Sequence, residues 1–123
     1  DLIMSVPLHT VKLRKRGFNQ SFLLIRNFVT FYRQNMEQSP LWKIDSGSLV
    51  RVKKTQPQTG FDIEHRKANL KNAFKVVNLK AIEDQHILLI DDVFTTGATC
   101  NEAALQLLKH GAQKVDALVL ART

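Results

Sequence analysis

An open α/β fold, a parallel sheet with helices on both faces, is what this sequence predicts, and three observations predict it. Residues 87–90, Ile-Leu-Leu-Ile, are short enough for a strand and apolar on both sides, as a parallel strand between helices is. Two acids, Asp91 and Asp92, follow, and after Gly97 comes Asn-Glu-Ala-Ala-Leu-Gln-Leu-Leu-Lys-His, with apolar positions at helical spacing. A second apolar stretch, 115–121, follows Gly111, so the segment reads as strand, helix and parallel strand joined by a right-handed crossover.

The remaining elements fit in order. Residues 2–6 read as a first strand. A long amphipathic helix is expected over 19–35, with Phe22, Ile25, Phe28, Val29 and Tyr32 along one side; that spacing describes a buried face rather than a base-stacking surface. Ser39-Pro40 and Ser46-Gly47-Ser48 punctuate the next connection, and Leu41, Trp42 and Ile44 form a small apolar cluster around Lys43. A short strand is expected at 49–52, a polar loop containing Pro57 at 55–60, a helix around 63–71 and a strand around 74–77. Gly111 supplies a left-handed helix stop before the last strand. No internal repeat or low-complexity tract interrupts the chain.

At 123 residues the chain can bury one core, and it is expected to be the C-terminal part of a longer protein. Its formal charge of +7 is concentrated in His9, Lys12, Arg14, Lys15 and Arg16, and in Arg51, Lys53, Lys54, Arg66, Lys67 and Lys71. Such an excess favours a polyanion, and charge alone does not distinguish a pyrophosphate from a nucleic-acid backbone. A single cysteine, with no signal peptide and no apolar run of spanning length, points to a reducing cytoplasmic setting without membrane insertion. Cys100 has two readings: a thiolate stabilised in the first turn of a helix, or a small buried residue, and the second is the commoner fate.

The densest chemistry lies between 91 and 99. Each piece has a plain structural reading: Thr99 and Glu102 have the spacing of a capping box, Gly97 suits a left-handed turn, and adjacent acids are common on surfaces. A cap needs one hydroxyl, whereas this loop offers Thr95, Thr96 and Thr99 beside a glycine that lets backbone amides approach an anion. Ligands of open α/β sheets bind beyond the carboxyl ends of strands, and a helix amino terminus favours an anion there. A phosphoacceptor or phosphatase domain would also place acids after a strand, but it needs one of them as a nucleophile. Here the anion loop follows at once, which suits a substrate carrying its own phosphate.

Apolar strand, two acids, an apolar residue and Thr-Gly-Ala-Thr match the phosphoribosyl-pyrophosphate (PRPP) signature, and the chain resembles a type I phosphoribosyltransferase. Within that group it is similar to the competence protein ComF family. The likeness lies in Val6-Pro7-Leu8-His9, in Arg14-Lys15-Arg16-Gly17-Phe18-Asn19-Gln20, in Thr55-Gln56-Pro57-Gln58-Thr59-Gly60 with Arg66, Asn69, Ala73 and Phe74, and in Gly111-Ala112 with Leu120-Ala121-Arg122-Thr123.

The resemblance implies the open parallel-sheet type I phosphoribosyltransferase fold with a small or incomplete hood. It also implies an amino-terminal cysteine-rich zinc segment that these residues do not contain, since Cys100 alone cannot hold zinc. The implied chemistry is displacement at the anomeric carbon of PRPP with loss of pyrophosphate. Thr95, Thr96, Gly97, Ala98 and Thr99 would take the 5′-phosphate. Asp91 and Asp92 would hold the ribose hydroxyls and, indirectly, Mg²⁺. Pro7, Leu8 and His9, with Arg16, Lys53 and Lys54, would face pyrophosphate, and Arg66, counted with Asp91 and Asp92 as catalytic, would stabilise its departing charge. Residues 53–62 would form a lid that excludes water.

Nothing in the sequence names the acceptor. Trp42 suits either a stacked base or an aromatic packed beneath a loop. Two other classes stay open: a PRPP-binding regulatory module without turnover, and a single-stranded-DNA-binding accessory acting with a helicase-like competence protein. Against the second, the chain lacks the interleaved aromatics of single-strand grooves.

Overall fold

The computed structural model describes residues 1–7, 14, 17, 19–52, 71–94 and 97–122. Four parallel strands form the central sheet in the order β2-β1-β5-β6: β1 (Leu2–Ser5), β2 (Lys43–Ile44), β5 (His86–Phe94) and β6 (Lys114–Arg122). A separate antiparallel pair is made by β3 (Leu49–Arg51) and β4 (Phe74–Val76). The helices are α1 (Gln20–Ile25), α2 (Phe28–Met36), α3 (Leu79–Ile82) and α4 (Ala98–Lys109). This is the open α/β architecture expected, with apolar cores on both faces of the sheet.

Side-chain alternation along β5 assigns the two faces. Ile87 and Leu89, both fully buried, join Leu2, Met4 and Val6 of the first strand region against α4 and the β3–β4 pair, where Ala103, Leu107, Leu49 and Phe74 complete the larger core. Ile90 and Leu88 point the other way, with Ile3, towards Ile25, Phe22, Phe28, Trp42 and Ile44. That second layer stops short of β6. Leu118, paired in register with Ile90, is 56% exposed, and Leu120 is 73% exposed.

The expected long helix over 19–35 is two helices. Asn19 opens α1, its side-chain oxygen accepting from the Ser21 and Phe22 amides. Arg26 caps the end, and Asn27, at φ −104° and ψ 5°, leaves helical geometry before α2 begins. Consequently Ile25 is fully buried, whereas α2 has no fully buried residue and Phe31 is exposed. Leu41 is also fully exposed and does not join the cluster expected around Lys43; Trp42 packs edge-on against Tyr32, with ring centroids 5.6 Å apart.

The later elements follow the sequence more closely. The stop after α4 is as expected: Gly111 sits at φ 104°, while the Ala112 and Gly111 amides return to the carbonyls of Leu107 and Leu108 at 3.1 and 3.3 Å. The expected helix around 63–71 lies almost wholly outside the described residues. Strand β5 is longer than the apolar run, because its pairing with β6 continues past Asp91 to Phe94.

Candidate phosphoribosyl site

Strand register sets the level of the site. Ser5 pairs with Ile90 across β1 and β5, and the Val6 amide donates to the Ile90 carbonyl at 2.9 Å. Pro7 therefore leaves the sheet beside Asp91. Both acids lie within β5 rather than in a turn after it, and their carboxyl groups are close enough to share a hydrogen bond. Asp91 follows Ile87 and Leu89 along the strand and is reached by Ser21 from one layer and by Cys100 from the other.

Asp91 is the more enclosed in its bonding. Its Oδ1 accepts from the Ser21 hydroxyl at 3.0 Å and from the Asp92 amide at 2.9 Å. The Cys100 thiol faces Oδ2 at 3.8 Å. Burial, and then the hydrogen bond with the Asp92 side chain, push the Asp91 carboxyl up to about 6, with the Ser21 and backbone bonds pulling the other way. The same burial, reinforced by Asp91, lifts the Cys100 thiol to about 11, so this cysteine is a buried neutral donor and not a stabilised thiolate.

Gly97 opens α4 at φ 79° and has no side chain to cap it. The capping box expected from Thr99 and Glu102 is not formed. Thr99 lies within the helix, and Glu102 Oε1 accepts instead from the Asn72 amide at 3.0 Å and from Gln106 at 3.2 Å. Ala98 and Thr99 thus occupy the first turn of a twelve-residue helix, the next described element after the acid-bearing strand. A helix start of this kind offers N–H groups and a positive dipole end to an anion.

Beyond β1 lies an open cavity of about 540 Å³, lined among others by Pro7, Gly17, Asn19, Arg26, Asp45 and Arg51. Arg51 stacks over the Phe74 ring at 5.4 Å. Burial lowers its pKa, and the charge of Asp91 opposes that shift, which places the guanidinium within the field of the acid. Asn19 ties the cavity wall together, its Nδ2 donating to the Val6 carbonyl at 3.2 Å while its oxygen caps α1.

Of the residues expected at the site, the structure places Asp91 and Asp92 on β5, Gly97 at the start of α4 with Ala98 and Thr99 in its first turn, and Pro7 at the cavity beyond β1. Leu8, His9, Arg16, Lys53, Lys54, Arg66, Thr95 and Thr96, and the expected lid over 53–62, lie outside the described residues. Sequence reasoning passed over Ser21 and Arg51 as site residues. Arg51 counted only as one member of a basic cluster, and no local pattern ties Ser21 to an acid 70 positions away.

Among the described residues no group of three or more His, Cys, Asp or Glu could hold a metal ion. Two adjacent acids without further protein ligands fit Mg²⁺, which keeps water and takes substrate oxygens rather than needing a protein cage. Asp91 and Asp92 are the residues that would hold it. When bound, the ion would neutralise pyrophosphate charge as the glycosidic bond breaks.

A parallel sheet that delivers two acids into a glycine-opened helix defines a phosphoribosyltransferase-type domain. The phosphoribosyl transferase domain family matches residues 44–123, and the chain belongs to it. More particularly, it is 38% identical over 123 residues to DNA utilization protein YhgH of Salmonella typhi, covering 100% of this chain and 50% of that protein. It is 35% identical over 127 residues to competence protein F of Haemophilus influenzae, covering 99% of this chain and 50% of the relative. With competence protein ComFC of Bacillus subtilis the identity is 30% over 123 residues, covering 99% and 45%. The chain spans about half the length of these relatives. Among the described residues no helix is long and apolar enough to cross a membrane.

Proposed function

We propose that this domain binds PRPP with Mg²⁺ and transfers its phosphoribosyl group to an acceptor with release of pyrophosphate. The observation that carries the reading is the acid pair in the carboxyl-terminal half of β5, the strand that precedes the Gly97-opened α4. The 5′-phosphate belongs at that helix start, the ribose hydroxyls and metal at the acids, and pyrophosphate on the Pro7 side, where Arg51 and Arg26 border the cavity. The names of the relatives support a role in DNA utilization or competence, and the single cysteine suits a reducing, cytoplasmic setting.

Calorimetric titration of PRPP with and without Mg²⁺ tests the proposal. Metal-dependent binding in the wild type, weakened at least about tenfold in Asp92→Asn, is expected from loss of a charge-assisted contact. A folded wild type that takes up no PRPP under either condition would sink it. Pyrophosphate release over a panel of nucleobases and other nucleophiles then separates transfer from binding alone.

A further inference from the structure

Among the described residues, the uncovered part of the sheet lies over β6, on the face that carries Ile3, Leu88 and Ile90. Ile90 is only 4% exposed, yet Leu118, its partner in register, is 56% exposed, and Leu120 is 73% exposed. The order of the connections explains the gap. α1 and α2 link β1 to β2 and so run away from β6, and it is α1 that covers this face. The β3–β4 pair and α3 lie between β2 and β5 in the chain, and α4 links β5 to β6. All of these pack on the opposite face, where Leu49, Phe74, Ile82, Ala103 and Leu107 share one core. With right-handed crossovers, a connection moving towards β6 does not return to the open side. A parallel sheet is normally covered on both faces, so cover for Leu118 and Leu120 has to come from outside these connections.

We propose that a segment of the protein preceding Asp1 docks here, laying an apolar face on Leu118 and Leu120. The chain covers 50% of each of two relatives, and an additional segment of that order is ample to cover the patch. Asp1 also lies at the near end of the sheet. Its Oδ2 accepts from the His86 amide at 3.0 Å, and His86 pairs with Lys114 at the start of β6. At roughly 4.8 Å per strand, a chain leaving Asp1 needs only about 10 Å, or about three extended residues, to reach β6. The patch itself has the anatomy of an interface, an apolar centre with a charged rim. In that rim Asp116 meets His86 Nε2 at 2.7 Å and Lys114 Nζ at 3.7 Å.

The test is thiol labelling of Leu118→Cys and Leu120→Cys, each in the longer protein and in residues 1–123 alone. The unsubstituted protein supplies the background, and Cys100, which is buried, stays unlabelled only while a variant is folded. Both introduced thiols should react at least about tenfold more slowly in the longer protein, because the docked segment must open first. Should residues 1–123 not fold alone, Met36→Cys in the longer protein becomes the reference, since Met36 and Leu118 are equally exposed at 56%. Reaction as fast in the longer protein as in the reference would overturn the proposal. Protection that fades on dilution would overturn it as well, because the face would then belong to a second copy. A natural protein with nothing before Asp1 would overturn it outright.

Discussion

The two faces of the central sheet are built to different degrees of closure. On one, α4 and the β3–β4 pair cover β1 and β5 and reach Val115 and Val119 of β6. On the other, α1 with Phe28, Trp42 and Ile44 covers β1 and β5 but leaves Leu118 and Leu120 of β6 in solvent. Parallel strands are normally covered on both faces. The contrast therefore separates where fold stability resides from where it does not, and the candidate site stands where the two layers meet, with Ser21 from one side and Cys100 from the other converging on Asp91.

The sharpest way to break the comparison is to cut into the closed face. Leu89 is fully buried among Met4, Ile87, Ala103 and Leu107, and Leu89→Ala should lose about 2–5 kcal/mol in denaturant unfolding, because transfer energy and a residual cavity add. A loss below about 1 kcal/mol would mean that this core is loosely packed and that the closed face is not the stable one.

Asp91 is a partly buried acid beside that face, and its effect is smaller and depends on pH. Its folded pKa, about 6, lies above the ordinary aspartate value of 3.8, so the folded state holds a proton that the unfolded chain releases earlier. The penalty for burying its charge is absent below the unfolded value, grows as pH rises towards 6 and is complete above it. Asp91→Asn should accordingly melt higher than the wild type at pH 7.5, with the gap closing as pH falls to about 4. A gap that stays constant with pH would show that Asp91 is not buried as an acid. A buried acid kept at a stability cost is the pattern expected of a site residue.

How much of this was legible in the sequence follows from the range of each interaction. The apolar run ending at Ile90, the helical spacing after Gly97 and the stop at Gly111 are local signals, and each corresponds to an element. The break at Arg26 and Asn27 was hidden because apolar spacing runs on through Phe28 and Tyr32 while the backbone turns. Strand β2, two residues long, carries no period at all and exists because its amides and carbonyls pair with β1. Thr99 and Glu102 had the right spacing for a cap, yet Asn72 and Gln106 claim the glutamate. At the site the acids and Gly97 stood out as a motif, whereas the bonds of Ser21 and the field around Arg51 depend on tertiary placement.

The smallest expected effect belongs to the open face. Leu120, 73% exposed on the outer strand, has little apolar surface removed from water within these residues. Leu120→Ala in the 123-residue domain should therefore change unfolding free energy by no more than about 0.5 kcal/mol. The same substitution in a longer protein sharpens the comparison further. If it costs more than about 1 kcal/mol there and not in the isolated domain, burial at β6 is supplied from outside residues 1–123, and the openness of this face is a property of the domain alone. If both values stay small, Leu120 remains in water in either setting, and the sheet draws its stability from the α4 side.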